Sequence, residues 1–389
     1  MNPPVLILRK NLERAIAQGH PWLWRDAVSQ HELAPGTVVD IHDRRGLFLA
    51  RGMTDGGPIG VRIWTTEPTE ALDASLILRR IAHAQALRAR VIPSQTNGLR
   101  LLHGEGDRTP GVVCDVYADV AVLKLDGEGI AAWLAPIIDG LKAPLLDLGV
   151  HTLLLRSGRR EEAQVETIWG TAPELPISFQ ERGMTLWVDV VRGQKTGMFL
   201  DHRESRFRVR GLADGARVLN LFGYTGAFSI AAGLGGARSV DTVDIAGAAL
   251  GLAERGWASN ELPPERHKVH RVDAFVFLDQ ASARRATWDL IIADPPSFAP
   301  NDDALEAALT SYKKLHAACL SVLAPGGLYL AASCSSHVRP DAFNETLTAG
   351  AARARRSLQV LDSWGAAPDH PRLMAFPEGD YLKSVLVRA

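Results

Sequence analysis

Residues 217–234 read RVLNLFGYTGAFSIAAGL, which is an apolar run, a turn with two glycines and a second apolar run. The first run, Arg217–Phe222, is typical of a buried strand, and the second, Ala227–Leu234, is typical of a buried helix. Between them, Gly223 and Gly226 permit a tight strand-to-helix turn and close approach by a ligand. Because the spacing is not the G-x-G-x-x-G of dinucleotide-binding enzymes, the sequence disfavours an NAD-dependent dehydrogenase.

The rest of the C-terminal half continues this alternation of strand and helix patterns. Such alternation predicts a largely parallel, doubly wound α/β sheet, in which ligands bind at the carboxyl ends of the strands. The predicted strands are Arg217–Phe222, Ser239–Ile245, Lys268–Asp273, Trp288–Asp294, Leu328–Ser333, Ser357–Trp364 and Lys383–Arg388. The helices predicted between the first six are Ala227–Leu234, Ala246–Asn260, Ala274–Arg284, Ala304–Leu323 and Asp341–Arg353.

The N-terminal part has a different pattern, in which short β-type runs are separated by Gly and Pro. This pattern predicts a small β-barrel. A helix is predicted at Leu72–Val91, and a second β-rich segment follows with one helix at Ile130–Leu141. We therefore expect three domains, which comprise residues 1–70, 71–182 and 183–389.

Composition limits the class of protein. The 43 basic and 44 acidic residues nearly cancel, so the overall charge gives no argument for nucleic-acid binding. There is no apolar run of about 20 residues and no signal-peptide pattern. The odd set of Cys114, Cys319 and Cys334 suits a reducing compartment, and His267 and His270 have no accompanying ligand set. We expect a cytoplasmic protein without a membrane segment or a bound metal.

Acidic residues end the second and third predicted strands of the α/β part. At these positions, Asp244 can accept hydrogen bonds from both hydroxyls of a ribose, and Asp273 can receive an adenine amino group. Each aspartate alone is also explained as a cap of the following helix. Together with the glycine turn, the two carboxylates favour a cofactor that contains adenosine.

A proline-containing loop, Asp294–Phe298, follows the fourth predicted strand. Its two prolines fix the backbone after the carboxylate, so the loop holds Asp294 toward the pocket, where it can hydrogen-bond a base edge. The aromatic side chain of Phe298 can stack on that base. A plain turn rich in proline is the alternative reading.

Cys334 lies at the carboxyl end of the fifth predicted strand, next to the strand that ends at Asp294. A single cysteine usually behaves as a small buried apolar residue, and this reading suits Cys114 and Cys319. For Cys334, the residues alone leave a nucleophile and a buried thiol equally open.

Several motifs resemble one family. The run Gly193–Arg203, GQKTGMFLDHR, resembles the GQKTGFFLDQR signature of bacterial 23S rRNA (cytosine-5)-methyltransferases of the large-subunit methyltransferase I type. Two residues depart from that signature, Met198 for a usual Phe and His202 for a usual Gln. Other matching segments, in chain order, are Gln18–Trp22 and Gly36–Trp64 (a PUA domain), Gly104–Gly111 (the middle domain), Asn220–Ser229, Asp294–Phe298 and Ser333–His337.

The resemblance implies a class I (Rossmann-like) methyltransferase domain with an N-terminal PUA β-barrel and a small α+β middle domain. It implies S-adenosylmethionine as cofactor and large-subunit ribosomal RNA as partner, while a homodimer is left open. The implied catalytic residues are Cys334 and Asp294. The implied cofactor-binding residues are Phe199, Asp201, Asn220, Phe222, Gly223, Thr225, Gly226, Asp244, Asp273, Ala274 and Asp294. The implied substrate-binding residues are Lys195, Arg203, Pro295, Pro296 and Phe298.

The resemblance also implies a mechanism, in which the Cys334 thiolate adds to carbon 6 of cytosine and so activates carbon 5. Many cytosine-5 RNA enzymes carry another cysteine in the proline-containing loop, but Ser297 follows the two prolines here, so the base that removes the carbon 5 proton is not identified. For Lys195 and Arg203, steering of the phosphate backbone and shaping of the cofactor pocket both stay open. Two rival functions are methylation of a guanine or adenine nitrogen and non-catalytic RNA binding.

Overall fold

The structure, a computed structural model, describes residues 3–158, 164–299 and 302–389, which form two units. The first unit consists of Met1–Ile177, Asp189–Met198 and Pro368–Gly379, apart from the residues outside the described ranges. The second unit consists of Ser178–Val188, Phe199–Ala367 and Asp380–Ala389, with the same reservation. No helix of the described ranges is long and apolar enough to cross a membrane.

The N-terminal sheet of the first unit is curled around its own apolar core. Its order is β1-β3-β4-β5-β2, and the β1–β3 pair is parallel while the other pairs are antiparallel. Alternate residues of one central strand, Val39 and Ile41, point into this core because successive side chains of a strand face opposite sides. The elements are β1 (Val5–Ile7), α1 (Glu13–Ala17), β2 (Trp22–Trp24), β3 (Val38–His42), β4 (Phe48–Thr54) and β5 (Ile59–Thr65).

The middle part of the first unit has a sheet of order β10-β9-β8-β7-β6, and its described residues also form three α-helices. Where one helix, Ile130–Leu141, was expected, the chain forms two. Pro136 lies in the first turn of the second helix, where a missing N–H is tolerated, so this residue suits a helix start better than an interior. The elements are α2 (Ala74–Val91), β6 (Gly98–His103), β7 (Val112–Tyr117), β8 (Val120–Leu125), α3 (Glu128–Ala131), α4 (Leu134–Asp147), β9 (Thr152–Ser157) and β10 (Gln164–Trp169).

The second unit is the predicted α/β fold, preceded by a hairpin and a helix. The hairpin and first helix are β11 (Ile177–Glu181), β12 (Met184–Val188) and α5 (Arg203–Leu212). The sheet strands are β13 (Arg217–Leu221), β14 (Ser239–Asp244), β15 (His267–Arg271), β16 (Trp288–Ala293), β17 (Leu323–Ser333), β18 (Gln359–Trp364) and β19 (Lys383–Arg388). The intervening helices are α6 (Ala227–Leu234), α7 (Gly247–Ser259), α8 (Ala274–Ala283), α9 (Leu305–Ser321) and α10 (Pro340–Ala354).

The strand order of this sheet is β15-β14-β13-β16-β17-β19-β18. The first five strands are parallel, and β19 runs antiparallel to both of its neighbours. The chain reverses its direction of progress between β13 and β16, and ligands of open α/β sheets bind at such a switch point. The sheet thus confirms the predicted fold class and places the candidate site at the carboxyl ends of β13 and β16.

The central strand β16 is buried on both faces. Leu290 and Ile292 pack into one core layer, and Ile291 and Ala293 pack into the layer on the opposite face. Helices on both faces cover parallel strands in this way, which explains why the strand reads as a continuous apolar run. Asp294, the residue directly after this apolar run, places a polar side chain at the carboxyl end of the strand.

Candidate active site

The glycine turn after β13 has the tight geometry expected from the sequence. Gly226 has φ +73°, and a Cβ at this position would lie 2.4 Å from Cβ of Ala253. The N–H of Gly223 donates to the carbonyl of Val243 (2.9 Å), and a Cβ there would lie 2.5 Å from Cγ2 of Thr242. A side chain at either glycine would therefore push the turn away from the neighbouring strand or helix.

Hydrogen bonds between buried polar side chains support this turn. Asn220 is fully buried, and its amide donates to Ser229 Oγ (2.9 Å), which in turn contacts Thr242 Oγ1 (2.6 Å). Thr225 is also buried, while Phe222 has φ +56° at the beginning of the turn. We conclude that Asn220 helps to fix the shape of the turn, and its contact with a cofactor stays a prediction.

Asp244 holds the other side of the same turn. Its carboxylate accepts hydrogen bonds from the backbone N–H groups of Tyr224 (2.8 Å) and Ala246 (2.8 Å). The ring of Phe199 packs edge-on against Tyr224, with 5.6 Å between ring centroids. Each carboxylate oxygen has a second lone pair that can accept a ribose hydroxyl. The turn, Asp244 and Phe199 therefore fit the nucleoside part of an adenosine-containing cofactor.

Asp273 has the capping role that the sequence left as the alternative. Its Oδ1 accepts from the N–H groups of Phe275 (2.9 Å) and Val276 (3.2 Å) at the start of α8, and Ala274 is buried behind it. An adenine contact through Asp273 would use its other oxygen. This contact stays a prediction.

Replacing Asp244 by alanine should weaken S-adenosylmethionine binding by about 1–3 kcal/mol, because ribose hydroxyls would lose a charged acceptor. Isothermal titration calorimetry measures the change, with thermal unfolding as the check that the variant folds. The matched control is Asp289→Ala, since Asp289 pairs with Arg217 at the opposite end of the sheet. An Asp244→Ala protein that folds and binds the cofactor with unchanged affinity would refute the assignment.

Asp294 and Cys334 meet at one edge of the sheet, as their positions after two neighbouring parallel strands require. The Sγ atom of half-buried Cys334 lies 4.0 Å from the carbonyl oxygen of Pro295, which follows Asp294 directly. Oδ2 of Asp294 lies 3.1 Å from Nε2 of His202. Oδ1 of Asp294 is buried and has no hydrogen-bond partner among the described residues. Because an unpaired buried acceptor is costly, this oxygen is suited to a donor group on a ligand.

His202 is a part of the site that the sequence did not assign. Its side chain is buried, its Nδ1 lies 3.2 Å from Ser205 Oγ, and Trp364 Nε1 donates to the same hydroxyl (2.8 Å). The imidazole thus bridges a fixed hydroxyl and the carboxylate of Asp294. The signature motif drew attention to His202 only as a departure from glutamine, yet its place in that motif was the available signal.

Buried polar contacts fix the segment that carries Phe199 and His202. Tyr381 donates to Oδ2 of Asp201 (2.6 Å), and Arg203 has no exposed surface and lies 3.9 Å from the carboxylate of Glu181. A direct phosphate contact would require Arg203 to leave Glu181. Both roles that the sequence leaves open for Arg203 stay predictions.

The remaining predicted substrate residues lie in different surroundings. Phe298 is half-buried, with its ring centroid 4.9 Å from that of Tyr312, so it belongs partly to the apolar core. Pro295 is buried and Pro296 is exposed. Lys195 is exposed and belongs to the first unit, whereas Pro295, Pro296 and Phe298 belong to the second.

The first unit has a cavity of its own, with a volume of about 170 Å³. It is lined by residues of the segment that resembles a PUA domain, among them Gly19, Pro21 and Trp64, and by Arg108 and Pro110 of the middle part.

Within the described residues, no group of three or more His, Cys, Asp or Glu side chains is arranged to hold a metal ion.

Comparison with known proteins identifies both parts of the chain. The profile of the S-adenosylmethionine-dependent methyltransferases matches residues 142–388, and that of PUA-like domains matches residues 6–66. A protein named ribosomal RNA large subunit methyltransferase I from Shewanella denitrificans is 35% identical, with 98% of each chain covered. One of the same name from Cronobacter sakazakii is 34% identical, with 97% of each chain covered.

Solved structures agree on the fold. A SAM-dependent methyltransferase from Streptococcus mutans has a TM-score of 0.88 at 22% identity, covering 99% of this chain and 100% of its own. A methyltransferase crystallised with S-adenosylhomocysteine (SAH) also has a TM-score of 0.88, at 23% identity and with 100% of both chains covered. At this level of identity the likeness concerns the fold.

Proposed function

Since the chain belongs to the S-adenosylmethionine-dependent ribosomal RNA large subunit methyltransferase I family, we propose that it forms 5-methylcytosine in large-subunit ribosomal RNA with Cys334 as nucleophile. The observation that carries this proposal is the position of Cys334 at the same sheet edge as Asp294, whose Oδ1 lacks a partner among the described residues. Methylation of a ring nitrogen needs no thiol at this place, whereas activation of carbon 5 does.

The residues at the switch point between β13 and β16 suit S-adenosylmethionine in this proposal. When bound, S-adenosylmethionine supplies an electrophilic methyl group. In our proposal, the Asp244 carboxylate holds its ribose, the turn from Gly223 to Gly226 admits the nucleoside closely, and Asp273 faces the adenine. The ring of Phe199, which packs against Tyr224, forms the side of the proposed pocket next to the turn.

The proposed chemistry begins with the target cytosine turned out of its stack. The Cys334 thiolate forms a bond to carbon 6, and the ring electrons make carbon 5 nucleophilic enough to take the methyl group. The carbon 5 proton then leaves to a base, its electron pair restores the ring double bond, and the bond from carbon 6 to sulfur breaks. Oδ1 of Asp294 is suited to accept from the cytosine amino group, which orients the ring for the addition.

RNA binding is assigned in this proposal to the first unit, which contains the PUA-like segment and its cavity. The division into residues 1–70, 71–182 and 183–389 stays a prediction, as does the direct part of Lys195. The ribosomal RNA substrate places the proposed activity in the cytoplasm. A homodimer is compatible with the proposal and is not required by it.

The product of the reaction tests the proposal directly. We expect the purified protein to transfer the labelled methyl group of S-adenosylmethionine to 23S rRNA from a strain that lacks the gene. Nucleoside digestion and mass spectrometry should then give 5-methylcytidine. N-methylated guanosine or adenosine would establish the rival methylation, and RNA binding without any product would favour a non-catalytic role.

A further inference from the structure

Lys383 is a buried cation with no role in the mechanism so far. It begins β19, opposite Ser333 of β17, and its side chain is almost fully buried. The ammonium group donates to the carbonyl oxygens of Ser335 and Tyr381, and no carboxylate pairs with it among the described residues. A buried lysine is rare unless an anionic partner compensates for its lost hydration.

The surroundings of Lys383 point to the missing partner. Ser335, whose carbonyl accepts from Nζ, follows Cys334 directly in the chain. Burial lowers the pKa of Lys383 to about 8, and attraction to Asp380 and to an anionic Cys334 limits this fall. The side chain is therefore mainly protonated at neutral pH, next to the thiol.

Other groups at the site do not favour a thiolate. Asp294 places a negative charge at the same sheet edge and disfavours a second one. Tyr312 donates to Ser333 through its hydroxyl, and burial raises its pKa, so the phenol stays neutral at this edge. His202 contacts Asp294 at this edge (3.1 Å), and Lys383 on β19 is the cation that a hydrogen bond to the Ser335 carbonyl places next to Cys334.

We propose that the ammonium group of Lys383 stabilises the thiolate form of Cys334 and so acts as a positioning residue for the nucleophile. The thiol loses its proton to solvent, and the resulting anion stays beside the cation. The inference rests on the proposed role of Cys334, but the ionisation of this thiol can be measured without RNA or cofactor.

The test is the pH dependence of alkylation of the intact protein by iodoacetamide. Labelling should report Cys334, because Cys114 and Cys319 are fully buried and burial raises their thiol pKa values. We expect a wild-type midpoint below the ordinary value of about 8.5. Lys383→Gln and Lys383→Met should each raise it by about one unit, with about tenfold slower alkylation at pH 7.

Three comparisons separate charge from structure. Lys383→Gln keeps a hydrogen-bond donor for the Ser335 carbonyl, and Lys383→Met does not. Equal shifts of the alkylation midpoint in both variants would indicate an effect of charge. A shift in the Lys383→Met protein alone would overturn the proposal. Lys383→Arg should retain the low midpoint. The matched control, Lys268→Gln on the opposite edge strand, removes one exposed charge and should change nothing.

The wild-type profile alone can also overturn the inference, even if no variant folds. A midpoint at or above about 8.5 would remove the proposed role of Lys383. If 5-methylcytidine forms and the Lys383→Gln profile is unshifted, only this inference fails. If another product forms and the profile shifts, the proposed function fails while the coupling of Lys383 to Cys334 stands.

Discussion

Cys334→Ala should abolish methyl transfer and leave the fold and the affinity for S-adenosylmethionine unchanged. The loss should be near total, because carbon 5 of cytosine has no other route to nucleophilicity at this site. The side chain is small, half-buried and in long contact with the Pro295 carbonyl (4.0 Å), so truncation costs little packing. Transfer of labelled methyl groups, thermal unfolding and cofactor titration measure the three quantities.

A covalent trap makes the same test at the level of the bond. RNA that contains 5-fluorocytosine should capture the wild-type protein as a stable adduct, since fluorine cannot leave as a proton does. Cys334→Ala should give no adduct. The matched control is Cys319→Ala, which removes a fully buried thiol from the core and should trap RNA normally, with a stability loss of about 1–2 kcal/mol.

Substantial methylation by the Cys334→Ala protein would contradict the cysteine mechanism. In that case the Asp294 loop alone would carry the chemistry, as in the rival methylation of a ring nitrogen. If the Cys334→Ala protein is inactive because it does not fold, its thermal unfolding curve will show this. The adduct between the wild-type protein and 5-fluorocytosine RNA would then decide the role of Cys334.

The sequence predicted the parts of the site that follow from parallel strands. Consecutive strands of an alternating α/β fold all end at one edge, so Gly226, Asp244, Asp294 and Cys334 could be brought together without coordinates. The glycine turn could be predicted because glycine is the residue that such a tight turn favours. The structure gives the reason at Gly226, where a Cβ would lie too close to Ala253.

Other contacts depend on antiparallel pairing and on burial, which local patterns do not encode. Lys383 reaches the Cys334 region because β19 reverses beside β17, and nothing near Lys383 in the sequence indicates that neighbour. The sequence left two roles open for Arg203 and gave no sign of its burial, 3.9 Å from a Glu181 carboxylate that also pairs with Arg206. The strand β17 begins at Leu323, five residues before the predicted Leu328, and it includes Pro325 and Gly326.

Asp294→Asn should lower kcat by about 10²–10³-fold, with a much smaller effect on cofactor affinity. Asparagine keeps the shape of the side chain and an oxygen that can accept from Nε2 of His202, now 3.1 Å from the carboxylate. The variant therefore removes mainly the negative charge and replaces one oxygen by a donor. That donor would face the donor of the cytosine amino group, so the ring should lose the orientation that the addition step needs.

The control for this variant lies on the same strand. Asp289→Asn makes the same substitution at the other end of β16, where the carboxylate pairs with Arg217 (2.9 Å) and is partly exposed. It should keep the wild-type kcat and lose at most about 1 kcal/mol of stability, as is usual for a surface ion pair. Single-turnover methylation and the rate of adduct formation with 5-fluorocytosine RNA should fall together in Asp294→Asn. If methyl transfer and adduct formation both keep wild-type rates, the charge of Asp294 is not needed, and the oxygen without a partner has no part in recognising the base.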